Sequence, residues 1–90
     1  HHQQANRLRA WHDVARRAKW GNLQDCRRHF PQVDQVGSCL VFNIGRDFRL
    51  IAGVVWNSNR RQDGILFLKY FLTHHQYDHN QWKKDCDHAT

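Results

Sequence analysis

Along residues 4–20, QANRLRAWHDVARRAKW, hydrophobic positions recur at helical spacing. Leu8, Trp11, Ala15 and Ala18 share one side, while Arg7, Arg9, Arg16, Arg17 and Lys19 lie largely elsewhere. The pattern predicts an amphipathic helix ended by Gly21. Asn22 is placed to cap a second, short helix over 23–30, which Pro31 stops just after Phe30. Residues 32–37 read as a polar connection. From Ser38 the period changes: Leu40, Phe42 and Ile44 alternate with Cys39, Val41 and Asn43, and both sets are mostly apolar, as in a buried strand. Gly45-Arg46-Asp47 supplies turn chemistry, and a second strand over 48–56 closes a hairpin. Residues 57–64, NSNRRQDG, form a longer loop, and 65–72 a third strand. Thr73 then caps a C-terminal helical stretch with Trp82 as its apolar anchor.

Helices followed by a meander of strands imply an α+β layer, with the two N-terminal helices on one face of an antiparallel sheet of about three strands and a short C-terminal helix after it. Ninety residues make one domain, 1–90, that buries roughly 60–65% of its unfolded surface. An apolar share of 40% against a charged share of 24% reads as globular, not disordered.

Charge sharpens the functional picture. Fourteen Lys and Arg oppose eight Asp and Glu, a formal +6 before any of eight histidines protonates, which favours polyanions and above all nucleic acid. Three cysteines, Cys26, Cys39 and Cys86, are an odd count without tight spacing, which argues against a disulfide framework and for a reducing compartment. Cys39 sits in an apolar run and reads as a small core residue. His79, Cys86 and His88 lack the spacing of a zinc site, so neither metal nor cofactor is expected. No apolar run approaches the ~20 residues of a membrane helix and no signal peptide is recognisable, which points to the cytoplasm. The chain has no methionine and opens His1-His2, as if upstream residues had been trimmed.

Alternation on 48–56 places Phe48, Leu50, Ala52, Val54 and Trp56 on one face, and Arg49, Ile51, Gly53 and Val55 on the other. A cation inside an apolar strand is costly unless paired or wetted. Lys69, between Phe67 and Phe71, poses the same problem, so the two cations either line one side of the sheet together or snorkel from its edge. The segment 73–83, THHQYDHNQWK, is densest in titratable groups, and histidine and tyrosine can move protons or hydrogen-bond them. Its alternative is a solvated helix in which only Tyr77 and Trp82 pack. RNA cleavage accounts for the mixture: the 2′-hydroxyl attacks its neighbouring phosphate, which needs a proton acceptor, a proton donor and a cation for the extra negative charge. Arginine's fork suits the phosphate, and no metal is required.

Three segments, LRAWHDVARRAKWGN, FPQVDQVGSCLVFNIGRDFRLIAGV and LTHHQYDHNQWKK, resemble the HigB branch of the RelE-like toxins, over residues 7 to 84. In that branch a W…A.W helix precedes an F(P)..D.VG segment, a VFNIG..YRLI hairpin and a terminal TH.EYD...WK. The resemblance implies the RelE-like fold and a cytoplasmic mRNA interferase, acting on messenger at the ribosome and neutralised by a helix-turn-helix antitoxin. It puts the YRLI arginine on Arg49, the basic position before TH on Lys69, the TH.EYD motif on Thr73, His74, Tyr77 and Asp78, and the WK lysine on Lys83. The roles that follow are charge stabilisation by Arg49 and Lys69 and proton handling by His74 or Tyr77. Arg46, Lys83 and Lys84 would hold RNA backbone, and Arg16 and Arg17 of the first helix ribosomal RNA. The chain departs from the pattern at Gln76, where the family has Glu, and at Phe48, where it has Tyr. The loop over 57–64 looks long. The family's opening strand is also expected to be missing, leaving one sheet edge open. A competing reading is a non-catalytic basic module that binds RNA or ribosomes; a DNA-binding regulator lacks any helix-turn-helix spacing.

Overall fold

The computed structural model describes residues 2–16, 22–56 and 64–86. Helix α1 spans His2–Arg16 and helix α2 Leu23–His29, followed by strands β1 (Asp34–Val36), β2 (Cys39–Ile44), β3 (Phe48–Val55) and β4 (Ile65–Thr73). Helix α3 (His74–Asp78) and a 3₁₀ turn, Gln81–Cys86, complete the described chain. The four strands form one antiparallel sheet in the order β1-β2-β3-β4.

The sheet has four strands, not about three. Residues 32–37 are not simply a connection: Asp34–Val36 pairs with Val41–Cys39 as a short edge strand turned at Gly37, whose φ of +57° suits glycine. Asp34 and Gln35 are exposed, so no hydrophobic alternation announced this strand. Asn22 caps α2 as its position predicts, its side chain accepting from the Asp25 amide at 2.9 Å.

Both faces of the sheet are covered. On one face Leu40, Phe42, Leu50, Ala52, Val54 and Phe71 pack with Ala10 and Val14 of α1 and Cys26 of α2. On the other, Cys39, Val41 and Ile51 pack with Trp82 and Cys86 of the C-terminal turn. The alternation read on β3 therefore holds. The stripe read on α1 is rotated, however: Ala10 and Val14 are buried and Trp11 half-buried, while Leu8 and Ala15 face water. A spacing of four, 10 to 14, keeps two small side chains against the sheet, where α1 must approach closely. Ala18 lies outside the described residues.

A disulfide joins Cys39 of β2 to Cys86, with Cα atoms 5.3 Å apart, contrary to the reading of the odd cysteine count. Two of the three cysteines pair and Cys26 alone stays free, so the count gives no support to a reducing compartment. Spacing in sequence could not reveal a bridge between residues 47 apart. Burial pushes the Cys26 thiol up to about 12, partly offset by the Arg27 charge. No described helix is long and apolar enough to cross a membrane.

Candidate nuclease site

The β2–β3 hairpin turns on Gly45, at φ +64°, and sets Arg46 exposed at the tip. Arg49 follows on β3, paired with Asn43 on β2 and Leu72 on β4. Its guanidinium donates to the carbonyls of Phe48 (2.8 Å) and Arg46 (3.4 Å), which brace it against its own turn. That leaves most of its five N–H donors for other partners.

β4 ends at Thr73 because the chain there changes period and is capped. The Thr73 hydroxyl accepts from the Gln76 amide (3.1 Å), and the Gln76 side chain accepts from the Thr73 amide (3.0 Å), a reciprocal capping box. The His74 amide donates to the Asp47 carbonyl at 2.7 Å, tying α3 to the β2–β3 turn. Asn80, at φ +62°, ends the helical backbone and starts the 3₁₀ turn, a conformation asparagine tolerates better than most residues.

These ties bring Arg49, His74, Tyr77 and Asp78 to one end of the sheet. The Arg49 guanidinium lies over the Tyr77 ring, 5.7 Å from its centre. His74 Nδ1 meets the Asp78 carboxylate at 2.9 Å; both side chains are more than half exposed, so the pair orients the imidazole more than it stabilises the fold. Tyr77 is backed by Trp82, stacked 5.1 Å away at 15°, and the buried Trp82 indole donates to the Tyr77 carbonyl at 3.0 Å. The predicted anchor thus supports the site directly. Beside it, His75 and His79 hydrogen-bond through their Nε2 atoms at 3.1 Å.

Lys69 is not brought to this cluster. A β-bulge shifts the β3–β4 register: Tyr70 pairs with Ile51 but Leu68 with Ala52, and Lys69 is the extra residue between them. Simple alternation put Phe67, Lys69 and Phe71 on one face. The bulge instead sets Phe67 opposite Gly53 and Phe71 opposite Leu50, on opposite faces of the sheet. Lys69 reaches over the Phe67 ring, 5.7 Å from its centre, and its ammonium donates to the Asp85 carbonyl. It stands three residues from Leu72, the partner of Arg49, about 10 Å along the strand. Next to it the Tyr70 hydroxyl donates to the Asp85 carboxylate. That hydrogen bond, with lost hydration and the carboxylate charge, raises the Tyr70 hydroxyl above the ordinary tyrosine range.

Of the residues expected to hold RNA, Arg46, Lys83 and Lys84 are exposed, the last two on the C-terminal turn, and Lys83 lies over Trp82 at 5.8 Å. Arg16 is exposed at the end of α1, on the other side of the sheet from α3; Arg17 and the loop 57–63 lie outside the described residues. Sequence reasoning missed Asp85 and Gln81, which lie in the same turn as Trp82. The described residues contain no group of three or more His, Cys, Asp or Glu able to hold a metal.

No curated protein and no solved structure matches the chain. The family model of the HigB toxin, described as the RelE-like toxic component of a toxin–antitoxin system, matches residues 4–80, which include all but the first residues of α1, and α2, the whole sheet and α3. An α+β chain with a four-stranded antiparallel sheet is compatible with that fold. With this match over most of its length, the chain belongs to the HigB family of RelE-like toxins, the toxic components of toxin–antitoxin systems.

Proposed function

We propose that this toxin is an endoribonuclease that cuts messenger RNA at the ribosome and so inhibits translation in the cytoplasm. Its partner is a cognate antitoxin, of helix-turn-helix type in this reading. The observation that carries the proposal is the Arg49–Tyr77 contact beside the His74–Asp78 pair, at an exposed end of a strongly basic domain. In the proposed reaction His74, oriented by Asp78, takes the proton of the 2′-hydroxyl. The 2′-oxygen bonds to phosphorus, and the bond from phosphorus to the 5′-oxygen breaks. Tyr77 gives its proton to that departing oxygen, leaving a cyclic phosphate and a 5′-hydroxyl end. Arg49 carries the extra negative charge on phosphate, where a planar fork of donors fits two oxygens.

Arg46, Lys83 and Lys84 hold the flanking RNA backbone, and Arg16 of the basic α1, together with Arg17, contacts ribosomal RNA. Lys69 serves through Asp85 in this scheme instead of meeting the phosphate. No step calls on a metal.

The test is induction of the toxin and of an Arg49→Ala, His74→Ala double variant, with mapping of new 5′ ends on cellular messenger. Loss of acid–base help alone slows cutting by about 10²–10⁴-fold. Discrete 5′-hydroxyl ends that vanish in the variant are expected. Growth arrest without cutting would overturn the nuclease and leave the non-catalytic RNA- or ribosome-binding module.

A further inference from the structure

We propose that the cleft enclosed by β4, α3 and the C-terminal turn is a nucleobase subsite, taking an unpaired base with an exocyclic amine next to the cut. The inference rests on the RNA-cleaving reading and specifies its substrate. The cleft holds about 370 Å³ and is lined by Tyr70, Leu72, Gln76, Gln81, Trp82, Lys84 and Asp85. That volume is at the small end of ligand pockets, the right scale for one base and not for a duplex.

Its place follows from the sheet. Leu72 pairs with Arg49 across β3–β4, and Gln76 precedes Tyr77 on α3. A strand of RNA with its phosphate at Arg49 and Tyr77 therefore has its adjoining base beside this cleft. Single-stranded RNA is read by splaying bases into such sites and hydrogen-bonding their edges.

The lining selects among bases. Asp85 is an acceptor when ionised, and its carboxylate has capacity beyond the single bond it takes from Tyr70. A carboxylate accepts from an exocyclic amine, and a glutamine amide both donates and accepts along a purine edge. Gln81 is exposed and its amide makes no hydrogen bond within the described residues. Gln76 uses only its oxygen, in the capping box, and keeps both N–H donors. Uracil has no exocyclic amine, and its one ring N–H donor on that edge lies between two carbonyl oxygens whose lone pairs Asp85 would repel. The same carboxylate excludes phosphate from the cleft, while Lys84 supplies a cation at its rim.

The recognition group is also held in place. Lys69 donates to the Asp85 carbonyl, Tyr70 to its carboxylate, and the adjoining Cys86 is tied by its disulfide and by the Ser38 amide on its carbonyl at 2.8 Å. An exposed acid with so many ties is preorganised, which lowers the ordering cost of binding. Gln81, Lys84 and Asp85 lie beyond residues 4–80, the stretch matched by the family model.

The experiment compares the wild-type toxin with Gln81→Ala and Asp85→Asn, mapping the base at the cut site and titrating each protein with AMP, CMP, GMP and UMP while following glutamine side-chain amides by NMR. The wild type is expected to disfavour uridine beside the cut, and the variants to lose about tenfold of that bias, the discrimination of one good base contact. The Gln76 and Gln81 amides of the wild type should shift with AMP, CMP and GMP but not with UMP. Cutting with a base bias identical in wild type and both variants overturns the subsite and leaves the nuclease standing. Selective amide shifts without any cutting keep the subsite and overturn the nuclease. Equal shifts with all four nucleotides, or none, overturn the subsite.

Discussion

Removing the Cys39–Cys86 bridge should weaken the whole domain. The bridge closes a loop of 47 residues, from β2 to the end of the C-terminal turn. In the chain-entropy description, −2.1 − 1.5R ln n cal/mol/K with that n comes to roughly −14 cal/mol/K, or about 4 kcal/mol at 25 °C. Against the ~5–15 kcal/mol total of a small domain, that is a large share. The loss should fall first on the turn, because Cys86 also carries the Ser38 amide and hydroxyl bonds on its carbonyl. Trp82 in the same cluster reports it through fluorescence. Urea unfolding of the wild type, with and without reductant, and of a Cys39→Ala, Cys86→Ala variant should show a drop of about 4 kcal/mol, with a melting point lower by roughly 15–30 °C. Alanine avoids burying a hydroxyl at two positions that are fully enclosed. A loss below about 1 kcal/mol, or no response of the wild type to reductant, would refute the argument, because the bridge would then constrain neither state.

Gly53→Ala should cost about 1–3 kcal/mol, since its new methyl would come within 2.2 Å of the Phe67 ring. Adding Phe67→Ala should recover most of that loss in a double-mutant cycle, and strict additivity would show the two do not collide. Cys26, buried and with its thiol pushed up to about 12, should resist iodoacetamide at pH 8 until the domain unfolds; prompt alkylation of folded protein would contradict its burial. The sign of its linkage is equally clear: a thiol raised in the fold helps fully below its unfolded pKa near 9, and that help is lost as pH rises from there through about 12. Gln76→Glu should keep the melting temperature near wild type, because a carboxylate oxygen closes the same capping box, whereas Gln76→Ala should cost about 1 kcal/mol.

Much of this architecture is written in local pattern. Asn22, Pro31 and Thr73 fix where elements begin or stop, through a missing donor or a side-chain oxygen, and each acts where it stands in sequence. The doubly apolar period of β2 marked a buried strand, and apolar partners on both sides of the sheet bear that out, although the helices were expected on one face alone. What stayed hidden depends on partners distant in sequence. The Asp34–Val36 strand is defined only by β2 beside it, the Cys39–Cys86 bridge only by two ends meeting, and the turn of α1 that faces the sheet only by the sheet. The candidate site divides the same way. Arg49, His74 and Tyr77 fall together because one hairpin and one capped helix carry them, whereas Lys69 leaves the group through a bulge that period-two reasoning has no means to foresee.

The substitution of Gln76 for the family's glutamate bears on which groups do chemistry. Read from sequence, the change at Gln76 removes a charge beside His74 and Tyr77 but no proposed catalytic group. In the structure that side chain accepts the Thr73 amide and closes the capping box, a task that needs an acceptor oxygen and not a charge. Glutamine and glutamate serve equally there. Asp78 is different: its carboxylate meets the His74 imidazole, where a charge steadies a protonated ring and an amide would not. The motif therefore separates into a frame and a centre. Thr73 and Gln76 hold the helix end in register with the β2–β3 turn, and from that frame Tyr77 meets Arg49 while His74 pairs with Asp78. A frame position tolerates loss of charge as long as its hydrogen bond survives, which is why the departure at Gln76 leaves the proposed chemistry intact.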